Sequence, residues 1–262
     1  MKILFVGDVF GKPGKRAASQ FIPKIREEHG ITFCIANGEN AAGGFGLTDN
    51  IAKKMLAYGI DVITSGNHIW DRQEAYRLLE EESSRILRPA NYPPKVPGAG
   101  YTVRETINGV KVGVVNLQGR IFMPPIDCPF RTADDILNRI RQQAKVIIVD
   151  FHAEATSEKM ALGWYLDGRV SAVLGTHTHV MTADERILPK GTAYISDVGM
   201  TGPYESVIGV KVEQSLTRIM NQIPTRFTPA EKGVMFSAVI VEINERTGGA
   251  LYIERIFEHS DE

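Results

Sequence analysis

The sequence has 262 residues, of which 43% are hydrophobic and 23% charged, enough for one substantial core, and its formal net charge is -1. That balance gives no general attraction for duplex nucleic acid or an anionic membrane, and leaves a small charged substrate at a local site open. The two cysteines, Cys34 in an apolar run and Cys128 in a proline-bounded stretch, lack the paired spacing of a zinc knot or redox centre.

The opening run MKILFV predicts a strand and is too short for a secretory core. No apolar run approaches the roughly 18 residues of a membrane span, so a soluble cytoplasmic protein is expected. Further β-rich runs follow at FCIA, DVITS, KVGVVNL, KVIIVDF and SAVLG. Between them, helical spacing predicts helices near residues 14 to 28, 72 to 82, 132 to 144 and 157 to 167. Pro23 should kink or shorten the first. Another helix should follow LTDN, with Thr48 as N-cap, Ile51, Met55 and Tyr58 on one face, and Gly59 as its stop. Residues 83 to 100, rich in Ser, Pro and Gly, read as a long surface connection that does not divide two domains. Asn108-Gly109 lies between alternating runs and predicts a hairpin, and VMFSAVIVEINERTGGALYIERIFE repeats the pattern. The expectation is an α/β protein in which antiparallel strands extend a parallel-looking core. In 202 to 222, the apolar positions could pack inward or form an interface.

Polar residues collect at the carboxyl ends of the predicted strands: Asp8, Glu39 with Asn40, Asn67 with His68, His152, and His177 with His179. In open α/β sheets that edge binds ligands. Neutral imidazoles with carboxylate and amide oxygens, and no thiolates, suit a metal site. In GTHTH, strand alternation would point His177 and His179 to one face; a turn there could aim them at two ions. A carboxylate such as Glu39 can bridge ions about 3.5 to 4 Å apart. The stretch GKPGKR lacks the glycine spacing and the Ser or Thr of a phosphate loop, so Lys12, Lys15 and Arg16 read as a solvated helix start. Loop 41 to 47, AAGGFGL, either lets backbone approach a phosphate, with Phe45 as a stacking face, or is a flexible connection. Trp70 and Trp164 read as packing residues.

The order GD, GEN, GNH followed by Asp71, a lone His after a strand, then GTHTH resembles the calcineurin-like metallophosphoesterase superfamily. More closely, MKILFVGDVFGKPGKR, ANGENAAGGFG, SGNHIWD, DFHAEATSEK and LGTHTHVMTADERILPKGTAYISDVGMTGP resemble the YmdB family of cyclic-nucleotide phosphodiesterases over essentially the whole chain. The resemblance implies a four-layer αββα sandwich with mixed sheets, in a single metallophosphoesterase domain spanning 1–262. It implies two metal ions: Asp8 and His179 on the first, Glu39 bridging, and Asn67, His152 and His177 on the second. Phe10 stands where the superfamily's D-x-H pattern has histidine, and the family's GEN motif implies Asn40 as the replacement first-site ligand. His68 would face the substrate as general acid, while Asp71 either orients it or caps the following helix.

The implied reaction is hydrolysis of a 2',3'-cyclic nucleotide to a 3'-nucleotide by a hydroxide shared between the ions. Iron or manganese is favoured, with zinc compatible with the same ligands. The same centre also suits a phosphomonoesterase or phosphoprotein phosphatase, or a regulatory protein binding RNA or a protein partner. A small phosphodiester is the expected partner, with no stable duplex nucleic-acid binding, no membrane, and room for a homo-oligomer.

Overall fold

The computed structural model describes residues 1–81 and 85–260. From the amino end come β1 (Lys2–Val6), β2 (Asp8–Val9), α1 (Gly11–His29), β3 (Phe33–Asn37), α2 (Asp49–Ala57) and β4 (Val62–Thr64). A short 3-10 helix, Ile69–Asp71, leads to α3 (Glu74–Glu81), β5 (Tyr101–Glu105), β6 (Lys111–Gln118), α4 (Pro129–Ile140), β7 (Val146–His152), α5 (Thr156–Leu166) and β8 (Ala172–Thr176). The chain closes with β9 (Arg186–Ile187), β10 (Ala193–Ile195), β11 (Met200–Pro203), α6 (Val212–Asn221), β12 (Val234–Ile243) and β13 (Ala250–His259).

These strands form a seven-stranded sheet, ordered β2-β11-β12-β1-β3-β4 with β13 also on β12, and a six-stranded sheet ordered β5-β6-β7-β8-β10-β9. Both are mixed: β1, β3 and β4 run parallel while β12 is antiparallel to β1, and β6, β7, β8 and β10 run parallel with β5 and β9 antiparallel at the edges. Alternation along β1 explains the layering. Leu4 and Val6 pack beneath α1, α2 and α3, whereas Ile3 and Phe5 enter a second core between the sheets. On β7, Ile147, Val149 and Phe151 meet α4 and α5, and Val146 and Ile148 face the other sheet. Three apolar layers between four structural ones make the expected αββα sandwich.

Several local expectations are corrected. Helix α1 starts at Gly11 and runs through Pro23 to His29. Pro23 lies on the exposed face, where the carbonyl it leaves unbonded can meet water, so the helix is not shortened. Helix α4 starts before 132 and ends at Ile140. Thr48 occupies the N-cap position of α2, but its side chain makes no capping hydrogen bond. In the 83 to 100 connection, Ser83 and Ser84 lie outside the described residues, as does Glu82 of the predicted 72 to 82 helix. The rest is more than surface loop: Ile86 and Leu87 are buried and bridge to Ile63 and Ala99, and Arg88 and Asn91 are buried too. Both predicted hairpins are present, as β5 with β6 and β12 with β13. On α6 the apolar positions Val212, Leu216, Ile219 and Met220 stand at the surface. No helix among the described residues is long and apolar enough to cross a membrane.

Candidate metal centre

The inter-sheet face turns polar where the parallel strands end. Asn37 continues the register of Phe33 and Ile35, Thr64 that of Val62, and Asp150 and His152 that of Val146 and Ile148. All four are fully buried, so each must find partners. Asp150 is the hub, accepting from Thr64 Oγ1, from Asn37 Nδ2 at 3.2 Å and from Thr176 Oγ1 at 2.8 Å. Burial pushes its carboxyl up to about 7. Thr176 Oγ1, having given its proton to Asp150, accepts from His152 Nδ1 at 2.9 Å. That chain fixes the ring so that His152 Nε2 faces the other site residues. Gly66 permits the approach, because a Cβ there would lie 2.1 Å from the imidazole of His152.

The two histidines of GTHTH lie beyond the end of β8, and both have positive φ, 101° at His177 and 65° at His179. A turn rather than strand alternation therefore aims them. Asp197 fixes this turn by accepting from the Thr178 N–H at 3.0 Å and the Thr178 hydroxyl at 2.7 Å, and Lys159 balances its charge at 2.6 Å. Each imidazole again has one nitrogen occupied from outside. His177 Nε2 lies 3.1 Å from Glu154 Oε2, and His179 Nδ1 donates to Ile208 O at 2.9 Å.

The remaining nitrogens and oxygens then converge. His152 Nε2 lies 2.9 Å from Glu39 Oε1, 3.0 Å from His177 Nδ1 and 3.1 Å from Asn67 Oδ1. Beside this group, His179 Nε2 is 3.2 Å from the Asn40 amide and 3.9 Å from Asp8 Oδ1. Asp8 Oδ2 accepts the His177 N–H at 3.1 Å, but Asp8 Oδ1 is buried with no hydrogen-bond partner. An uncompensated buried carboxylate oxygen costs several kcal/mol, and two imidazole nitrogens in contact share at most one proton, so the donor set fits cations. Glu39, His152 and His177 offer ligand atoms within 4.8 Å of one another. Burial would raise the Glu39 carboxyl, but His152 and His68 overcome it and hold it down at about 2. Burial would likewise lower His152, yet Glu39 lifts it to about 9. His177 drops to about 3 through burial and the charge of His152. Burial raises Asp8.

A cavity of about 350 Å³ opens over these groups. Glu39, Asn40, His68, His177 and His179 form its polar side, and Phe10, Phe45, Ile208, Val210 and Phe227 its apolar side. His68 N–H donates to Glu39 Oε2 at 2.9 Å, and its Nδ1 lies 2.8 Å from Asp71 Oδ2, which leaves Nε2 available. Asp71 thus sits on His68. Loop 41 to 47 is pinned, since Arg72 donates to Phe45 O at 3.0 Å and to Ala42 O at 2.7 Å. Lys15 is spent on Ala41 O at 2.7 Å, while Lys12 and Arg16 are exposed. Trp70 packs on Tyr76 and Tyr92, Trp164 is exposed, and neither lines the cavity.

The family model for YmdB-like proteins matches residues 4–256. The chain belongs to the YmdB-like family. It is 49% identical over 261 residues to the 2',3'-cyclic-nucleotide 2'-phosphodiesterase of Bacillus subtilis (strain 168), covering 100% of this chain and 98% of that protein. A Thermus thermophilus protein described as hypothetical has a crystal structure similar at a TM-score of 0.93 and 45% identity, with both chains covered completely. A novel phosphatase from Mycoplasma pneumoniae gives a TM-score of 0.93 at 33% identity, covering 100% of this chain and 94% of that one.

In this YmdB-like chain Phe10 is almost wholly buried with Met200 and Val210, its ring 5.7 Å from that of His179. It is an apolar wall beside the donor cluster. Sequence reasoning did not single out Glu154, Asp150, Thr176, Asp197 or Ile208. Glu154 carried one signal, an acidic residue two positions after a strand-end histidine in DFHAEATSEK. The others act through burial or backbone geometry.

Proposed function

We propose that this chain, acting as one domain over 1–262, is a dinuclear metal-dependent phosphodiesterase that opens 2',3'-cyclic nucleotides to 3'-nucleotides. The observation that carries the reading is the convergence of Glu39, His152, His177 and Asn67 beside the orphaned oxygen of Asp8. The Bacillus subtilis relative's name supplies the substrate class. Asp8, Asn40 and His179 would hold the first ion, Asn67, His152 and His177 the second, with Glu39 between them. Nitrogen and oxygen donors without thiolate admit iron, manganese or zinc, and the family resemblance favours the first two. Bound there, two such ions would supply Lewis acidity toward a water and the phosphoryl oxygens.

The chain's own residues do the rest. As a water oxygen bonds to phosphorus, its proton passing to solvent, and the bond to the 2' oxygen breaks, that oxygen needs a proton. His68 delivers it from Nε2, while Asp71 on Nδ1 holds the ring in place. The buried Asp150 hub holds His152, and Glu154 and the Ile208 carbonyl hold His177 and His179, so the donors need not rearrange during reaction.

The test is a substrate panel of 2',3'-cyclic nucleotides, bis-p-nitrophenyl phosphate, phosphomonoesters and phosphopeptides with metal-loaded protein, alongside Glu39→Gln and His68→Ala. The expected result is preference for the cyclic diesters, collapse in Glu39→Gln, and in His68→Ala a fall of about 10²- to 10⁴-fold in kcat with metal content kept. Preference for monoesters, or loss of both metals in His68→Ala, would overturn the respective assignment.

A further inference from the structure

Val207 to Val210 form a two-residue hairpin, with Val207 N–H donating to Val210 O at 3.0 Å and Val210 N–H donating to Val207 O at 3.1 Å. Both central residues have positive φ, 48° at Ile208 and 101° at Gly209. This is the pattern of a type I′ turn, whose first central position favours Asn, Asp or Gly. A β-branched residue there is an outlier held by its surroundings. Gly209 N–H donates to Ser206 Oγ at 2.9 Å, Ala230 N–H donates to Gly209 O at 2.9 Å, and a Cβ on Gly209 would lie 2.8 Å from the Phe10 ring.

The fold itself gives no reason for isoleucine. The Ile208 carbonyl holds His179 Nδ1 at 2.9 Å, but any residue supplies a carbonyl. The side chain is 56% exposed, so it gains little from folding, yet it lines the cavity with Phe45, Val210 and Phe227. A ligand covering the side chain would bury that exposed apolar surface and offset the cost of the turn. None of these four side chains can hydrogen-bond, so the matching ligand surface is an apolar face, while the charged part of the ligand meets the polar side of the cavity.

Resting on the phosphodiesterase reading above, we propose that Ile208 is a substrate-contacting residue: its side chain packs on the nucleobase face of the cyclic nucleotide while its carbonyl fixes His179. One residue then couples base recognition to the donor cluster.

The test uses Ile208→Asn and Ile208→Gly, which keep the carbonyl and suit positive φ. In metal-free protein, Tm should rise by about 2–4 °C. Loaded with metal, both variants should show a rise of about tenfold in KM for 2',3'-cyclic AMP. Ribose 2',3'-cyclic phosphate, which has no base, should show no such rise. An unchanged KM for the nucleotide, an equal loss on the base-free substrate, or a lowered Tm in both variants would overturn this assignment and leave the reaction standing. If the wild type opens no cyclic nucleotide, the reaction falls, and the nucleobase contact with it.

Discussion

Glu154 Oε2 lies 3.1 Å from His177 Nε2, and this contact settles which nitrogen of His177 faces His152. With the Nε2 proton engaged by the carboxylate, Nδ1 is left bare for a cation. Partners of this kind are commonly worth 10- to 100-fold in metal affinity. Glu154→Ala should weaken the second ion by about that factor, and Glu154→Gln by less, since its amide oxygen still accepts the N–H. Equilibrium dialysis against manganese would read both; full affinity in the alanine variant would remove the role.

In the proposed assignment, Asn40 takes the place of the histidine that the superfamily pattern would put at Phe10. Its amide lies 3.2 Å from His179 Nε2 and 3.5 Å from Glu39 Oε1, and a half-turn about its last bond exchanges nitrogen for oxygen in that position. Asn40→Ala should therefore keep the ion of the His152 group and lose the other, whereas Asn40→Asp should keep both. Elemental analysis after desalting distinguishes one ion per chain from two. Two ions retained in Asn40→Ala would show that water suffices.

Metal loading should release protons. Without metal, His152 is held near 9 by Glu39 and stays protonated at neutral pH, while Glu39 near 2 and His177 near 3 are already free of theirs. A group whose metal-free pKa lies above the working pH must give up its proton to bind, so apparent affinity should rise with pH, by up to about tenfold per unit, and level off above about 9. Calorimetry at pH 7.5 in buffers of different ionisation enthalpy should find about one proton released from His152. Zero release would show that His152 enters loading already neutral.

Much of this centre was legible because each donor follows an apolar run, as Asp8 follows KILFV and His152 follows KVIIVDF. The same alternation that buries Ile148 carries Asp150 and His152 into the gap between the sheets. Strands β2, β9, β10 and β11 were not legible, since runs as short as Asp8–Val9, or containing Gly and Pro as in Met200–Pro203, are extended by their neighbours' hydrogen bonds rather than by their own pattern. Ile208 escaped for a related reason: VIGV looks like strand, and only the paired positive φ values reveal a turn. Pro23 misled because its effect depends on which helix face it occupies.

Lys159 offers the sharpest stability test. It is 2% exposed and paired at 2.6 Å with Asp197, itself 1% exposed, beneath the turn that carries both GTHTH histidines. Removing one partner of such a pair leaves a buried charge uncompensated and typically costs about 3–5 kcal/mol, whereas removing both charges costs far less. Lys159→Met should lower the urea midpoint accordingly, because Asp197 would keep only its hydrogen-bond donors, among them Thr178 and the Gly199 N–H. Adding Asp197→Asn should restore part of that loss, since the amide oxygen still accepts from Thr178 with no charge to bury. If the double variant unfolds no later than Lys159→Met, the loss comes from packing around the lysine stem in α5, and the Asp197 charge plays no part in holding the turn.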